Sequence, residues 1–548
     1  MTGERRATAT GDLWWKNAVI YCLDVKTFLD TNADGCGDLI GLNERIDYLN
    51  GLGVTCIWVM PCFPSPGRDD GYDITDFYTV DPKLGTLGDF VEMLRTAQDR
   101  GIRVIIDLVV NHTSRDHPWF QSARKGRDAP YHDYYVWQDN RPDNDPDELV
   151  FPGEEHSNWE WDHEARQWYF HRFYAEQPDL NTANPAVRDE IAKIAGFWLA
   201  LGLAGYRLDA VPYLLEELSR PESESKDSHA LLRKLRAYLS RRRGDAMLLG
   251  EVNLPPEQAV QYFGNGDELT MVFNFPLNQA MYLALARQDA APLAKALDAQ
   301  PEIPEECQWT NFVRNHDELT LDKLSPAERD EAFAAFGPDE RMRIYGRGIR
   351  RRLPGMLDSD QDRIRMVYSL MFSLPGTPAL FYGEEIGMTE NLDIQGRLSV
   401  RTPMRWSAEP HAGFSRAPSG ARLCRPLTDD NSVNVAEQRR DPESMLNWME
   451  RLIRRRKECP EFGWGRFELI SSEGPILGHR CDWNGSTVIA VHNLSNRSAS
   501  MTLPQGDDWE KLIDLLGTEV CAPGDEIELQ PYGYRWMRVQ QRGGRLAQ

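Results

Sequence analysis

An α/β chain folded as a (β/α)₈ TIM barrel, with an inserted subdomain after strand 3 and a C-terminal antiparallel β-sandwich domain, is predicted by three observations. Eight short apolar runs alternate with helical patterns, most of those runs end in a polar residue, and short alternating strands replace that rhythm near the end. The runs are AVIYCLD (18–24), TCIWVMP (55–61), RVIIDLVVNH (103–112), GYRLDAV (205–211), MLLGE (247–251), LTMVFNF (269–275), NFVRNHD (311–317) and PALFYGEE (378–385). Continuous apolar runs read as strands buried on both faces, which is the pattern of a parallel sheet. Leu42, Ile46 and Leu49 follow the first run at helical spacing, and Val187, Ile191, Ile194 and Trp198 precede the fourth in the same way.

The pattern divides the chain into a barrel (12–112 and 176–460), an inserted piece (113–175), a lid-like insertion (318–355) and a terminal domain (461–548). The inserted piece is rich in Trp, Tyr, Asp and His, and the lid-like piece is strongly charged. From 462 onward, RFELISS, STVIAVHNL and SMTLP alternate between turn residues. At 548 residues the chain exceeds one ordinary domain, which suits a large domain plus a smaller one.

Sixty-two basic against 85 acidic residues give a net charge of −23, which repels nucleic acid and anionic membranes and suits a neutral substrate. No run of about 18 apolar residues occurs, and MTGERRATATGDLWW has no apolar signal core. The nine cysteines are odd in number and form no CxxC pair, which fits a reducing compartment. A cytoplasmic protein without an organic cofactor is expected; a homo-oligomer stays open.

Three acids end predicted strands: Asp209, Glu251 and Asp317. A barrel collects such residues at one rim. Two carboxyl groups flanking a glycosidic bond are what its cleavage requires, one attacking C1 or activating water and the other protonating the leaving oxygen. Arg207 stands two residues before Asp209, so strand alternation points both inward, and its charge is expected to hold Asp209 ionised. Glu251 follows an apolar approach that favours the protonated form. His112 and His316 also stand at strand ends, where they suit binding.

DLVVNH (107–112), GYRLDAV (205–211), GEVN (250–253) and RNHD (314–317) resemble, in order, the four signature segments of the α-amylase superfamily, glycoside hydrolase family 13. The resemblance runs over roughly residues 14–540. It implies a retaining mechanism with Asp209 as nucleophile, Glu251 as acid/base and Asp317 as stabiliser of the transition state. It further implies that His112, Arg207 and His316 bind the first sugar, and that Tyr72 of SPGRDDGYDITDF (65–77) stacks under it. Asp69 would bond the outer hydroxyls and pair with Arg401 of VRTPMRW (400–406), closing the pocket.

The loop DTNADGCGD (30–38) sets oxygen ligands at Asp30, Asn32, Asp34 and Asp38, with the Cys36 carbonyl between them. This is chemistry for a structural Ca²⁺, or Mg²⁺ at the same loop, although Gly41 stands at the twelfth position in place of Glu. The family resemblance alone implies a second calcium set: Asn111, Asp179, Tyr213, Leu214 and Glu216.

Within the family, SNWEWD (157–162), YFHRFYAEQPDLN (169–181), RRRLPGML (350–357) and VNVAEQRRDPESMLNWM (433–449) look most like the maltose–trehalose isomerases. That implies a small α-glucoside substrate such as maltose or trehalose. EVNLPPE (251–257) and IQGRLS (394–399) depart from those enzymes on the acceptor side, which leaves a hydrolytic α-glucosidase as the alternative. A catalytically inactive barrel serving as a binding subunit is the reading from another class. It is disfavoured because all three carboxylates are present and no membrane-spanning segment is.

Overall fold

The computed structural model describes residues 13–143, 149–216, 227–428, 433–472 and 474–543. The start of the N-terminal stretch read above lies outside them. Eight parallel strands close into a barrel: β1 (Ile20–Leu23), β2 (Cys56–Val59), β3 (Arg103–Leu108), β4 (Gly205–Leu208), β5 (Met247–Gly250), β6 (Met271–Phe273), β7 (Gln308–Phe312) and β8 (Thr377–Phe381). Each pairs with its sequence neighbours, and β8 closes on β1 with Ile20 opposite Ala379. Almost every strand residue is buried, because one face meets the barrel interior and the other meets helices.

Local signals explain the helices around it. Helix α1 (Leu87–Asp99) starts at a capping box in which Thr86 and Asp89 satisfy each other's backbone amides. Helix α2 (Pro185–Leu201) has Asn184 as N-cap and proline in its first turn, and it buries Val187, Ile191, Ile194 and Trp198. Gly205 opens β4 at φ 151°, and a Cβ there would sit 2.0 Å from the Met247 carbonyl. Only glycine lets β4 and β5 approach so closely. The early helix that carries Leu42, Ile46 and Leu49 is two pieces, Leu39–Glu44 and Ile46–Leu52, divided at Arg45.

Three strand boundaries differ from the sequence reading. β3 stops at Leu108 instead of His112, β7 spans 308–312 instead of 311–317, and β8 ends at Phe381. Apolar content extends beyond these ends, but the pairing stops at Leu108, Phe312 and Phe381. Asp317 therefore stands on the loop after β7, not at the strand end.

The first insertion holds a three-stranded sheet (Trp137–Gln138, Gln167–Phe170 and Trp159–Asp162) beside the helix Pro118–Ala123. The second holds the helix Pro326–Phe336 and a small sheet of Leu319–Thr320, Gly348–Ile349 and Arg343–Ile344. The two insertions touch. Arg347 donates to the Val150 carbonyl at 2.6 Å, and the rings of Phe151 and Tyr345 lie 5.2 Å apart.

The terminal domain packs a six-stranded antiparallel sheet against a two-stranded one, with Ile476, Ile489, Val491, Leu503, Leu512 and Ile527 between them. It docks on the barrel through buried polar contacts, such as the 2.9 Å hydrogen bond between His479 and the Ser373 carbonyl. Among the described residues, no helix is long and apolar enough to cross a membrane.

Candidate active site

One buried guanidinium organises the rim. Arg207 sits in β4 at 1% exposure, with its partner in the register, Asp107 of β3, directly opposite. It donates to Asp107 at 2.7 Å and to Asp209, and it pairs with Glu251 at 2.8 Å. Asp209 and Glu251 are the first residues past the ends of β4 and β5, and a shared guanidinium keeps them neighbours. A retaining pair needs carboxyl groups about 5–5.5 Å apart, and bonding to one planar cation is compatible with that spacing.

Ala210, just after the nucleophile candidate, adopts φ 49° and ψ 41°, a left-handed conformation unusual for a residue with a Cβ. That turn aims its N–H at Glu251, 3.1 Å away, so backbone strain helps to position the acid.

The third carboxylate is held from the other side. Asp317 accepts from Arg397 at 2.7 Å and from Arg401 at 2.9 Å, and it lies 3.0 Å from His316. His316 also hydrogen-bonds the Tyr72 hydroxyl at 2.7 Å, and the two rings lie parallel. His112 contacts the Tyr72 carbonyl at 3.1 Å. The Tyr72 hydroxyl lies 3.4 Å from Asp107, so Asp107 joins Asp209, Glu251 and Arg207 to Asp317, His316 and Tyr72 in one connected set, with His112 reaching it through Tyr72.

The expected Asp69–Arg401 salt bridge is not what forms. Asp69 pairs with Arg397 at 2.7 Å, and Arg401 pairs with the next residue, Asp70, at 2.7 Å. Lys26 and Arg425 also converge on Asp70, so that carboxylate is the better-compensated anchor for the deeply buried Arg401. Arg397, less buried, spans Asp69 and Asp317 and walls the site. Sequence reading missed Asp107, Asp70 and Arg397. Asp107 lay inside a quoted motif, but only the β3–β4 register shows that it faces Arg207.

Exposure separates the three acids. The Asp209 side chain is 9% exposed, against 25% for Glu251 and 18% for Asp317, so the nucleophile candidate lies deepest. Burial pushes Asp209 up to about 6 against the pull of Arg207. This corrects the expectation that Arg207 would hold it low: desolvation wins. Burial also raises Glu251, with Asp209 and Asp317 pushing the same way and Arg207 opposing. For Asp317 burial works upward, but His316 and the neighbouring guanidiniums outweigh it and hold the carboxyl well below the usual range. Burial lowers His316 itself, against the upward pull of Asp317. The opposite shifts of Asp317 and Glu251 separate the tasks of the two carboxyls, one favouring the charged form and the other the acid.

Asp30 accepts the amides of Ala33 and Gly35, Asn32 that of Asp34, Asp34 that of Cys36, and Asp38 those of Thr31 and Gly41. Asn111 donates to Asp179 at 3.0 Å; Glu216 pairs with Arg172, whose guanidinium lies over the Tyr213 ring; Tyr213 and Leu214 belong to the short helix Val211–Leu214. Among the described residues, no group of three or more His, Cys, Asp or Glu is gathered to hold a metal ion. A cation at 30–38 would therefore also draw on the Asn32 oxygen and the Cys36 carbonyl.

A closed parallel barrel whose rim gathers these three acids defines a glycoside-processing enzyme. The chain belongs to the α-amylase family, glycoside hydrolase family 13: residues 22–329 and 350–465 match the alpha-amylase catalytic domain, and 485–538 match a sucrose hydrolase-like C-terminal domain. It is 43% identical to a trehalose synthase/amylase of Mycobacterium tuberculosis over 90% of this chain and 84% of that protein. To a trehalose synthase of Pimelobacter sp. it is 42% identical over 96% of both chains. A solved structure of a trehalulose synthase mutant superposes with a TM-score of 0.78 at 28% identity, covering 96% of this chain and 100% of that one.

Proposed function

We propose that the enzyme interconverts maltose and trehalose by double displacement, with some hydrolysis. Asp209 attacks C1 of the bound glucosyl unit while Glu251 protonates the departing oxygen. The freed glucose stays in the site and presents its anomeric hydroxyl. Glu251 removes that proton as the oxygen attacks C1, and two inversions leave an α-linkage. Retention competes with water through effective concentration, on the order of 10⁵ M or more for well-oriented groups, and through solvent exclusion.

The observation that carries this reading is the wall made by Arg397 between Asp69 and Asp317, under two insertions that touch at Val150 and Phe151. The insertion at 318–355 would act as the lid. Purified enzyme given maltose should yield more trehalose than free glucose by chromatography. Glucose as the sole product would establish the α-glucosidase reading, which the amylase half of the M. tuberculosis relative's name favours.

The substrate is a small neutral α-glucoside, and the compartment is the cytoplasm, in keeping with nine free thiols and a net charge of −23. The all-oxygen donor set at 30–38 suits a hard cation: one oxygen each of Asp30, Asn32 and Asp34 accepts a single amide and keeps a lone pair. Asn111, Asp179, Glu216 and the carbonyls of Tyr213 and Leu214 would hold a second Ca²⁺. Both ions would brace structure and take no part in the chemistry. Millimolar Ca²⁺ added to EDTA-treated enzyme should raise the melting temperature by about 2–4 °C; an unchanged melting curve would remove the cations from the proposal.

A further inference from the structure

Two of the nine thiols, far apart in sequence, meet at the surface. The Cys424 amide donates to the Gly35 carbonyl at 2.7 Å, and its thiol donates to the Lys26 carbonyl at 3.2 Å. That same Lys26 carbonyl accepts the Gly37 amide at 2.7 Å, so both residues flanking Cys36 are tied to the surroundings of Cys424. The backbones are close enough that a Cβ on Gly35 would lie 2.4 Å from the Arg422 carbonyl. The Cys424 amide therefore sits against the peptide group that joins Gly35 to Cys36. Both line one cavity of about 300 Å³ with Lys26, Asp70 and Arg425.

We propose that Cys36 and Cys424 are a modification site, joined by a reversible disulfide when the protein meets a peroxide. Access favours this pair: Cys424 is exposed and Cys36 half-buried, whereas six of the other seven thiols are buried. Peroxide takes one thiol to the sulfenic acid and releases water. The second sulfur then displaces the sulfenic oxygen, forming the S–S bond and releasing a second water. The two thiol protons and both peroxide oxygens leave as water, the peroxide is reduced, and the sulfurs are oxidised by two electrons. The two sulfurs share one cavity, and the bond requires them to close to about 2.05 Å.

The crosslink would staple the 30–38 loop to the segment that begins the charge chain into the active site. Arg425, next to Cys424, donates to Asp70; Asp70 holds Arg401, and Arg401 holds Asp317. The cation reading of the loop uses the Cys36 carbonyl oxygen, and this inference uses its sulfur.

The test treats the full, reduced chain with hydrogen peroxide in EDTA, then alkylates and digests it. Expected are a species about 2 Da lighter, one crosslinked peptide joining residues 36 and 424, and its loss on treatment with a thiol reductant. The oxidised protein should melt about 3 °C higher than the reduced one, and Cys424→Ser should show neither change. Oxygen adducts on the two thiols without a crosslink would overturn the inference. So would a Cys424–Cys424 bond between copies, or pairing of either residue with another of the seven cysteines. The mapping on the unmutated protein decides the matter even where the variant folds poorly.

Discussion

Asp209→Asn should cut turnover on maltose by on the order of 10⁴-fold or more and still melt cooperatively. The amide keeps the shape of the side chain but cannot form the glycosyl ester, whether the acceptor is glucose or water. A variant with near-normal turnover would show that another group attacks C1.

The same substitution carries a sign-specific stability signature. The folded carboxyl of Asp209 sits at about 6, above the usual aspartate value of about 3.9. A carboxyl raised on folding contributes its stability fully below the unfolded value, and that contribution is lost as pH rises through the folded value. At pH 8 the ionised, buried Asp209 therefore costs the native state on the order of 2–3 kcal/mol, and the neutral amide escapes that cost. The melting temperature of the variant relative to the parent should increase between pH 4 and pH 8. A difference that stays flat or runs the other way would contradict the burial-driven rise.

Arg207→Met should be the most damaging single change at the rim. It removes the one cation shared by Asp107, Asp209 and Glu251, the first two of which are almost wholly buried. Leaving buried charges without their partner costs about 3–5 kcal/mol, far more than a surface pair is worth. Without that guanidinium all three carboxyls rise further. By the same sign rule, the loss should be larger at pH 8 than at pH 5, where proton uptake relieves it. Urea midpoints at the two pH values measure this directly. Activity should fall as well, because the protonated nucleophile does not attack. A variant as stable as the parent at pH 8 would show that the cluster finds its compensation elsewhere.

The sequence by itself determined the alternation that closes the barrel, the change of rhythm near residue 462, and the identity of the acids at its rim. Period and burial are local properties, and a short run of Ile, Val and Leu ending in Asp can be read without knowing its neighbours. Val187, Ile191, Ile194 and Trp198 are legible for the same reason, and all four are buried. Tertiary structure alone decided which charge meets which. Asp69 and Asp70 are adjacent, and nothing in their order tells which one faces Arg397 and which Arg401; the backbone turn at Asp70, with φ 53°, separates them. Asp107 joins the site only because β3 and β4 lie in register. The upward shift of Asp209 likewise depends on how much water the assembled barrel removes, a quantity set by the packing of eight strands and not by the two-residue spacing to Arg207.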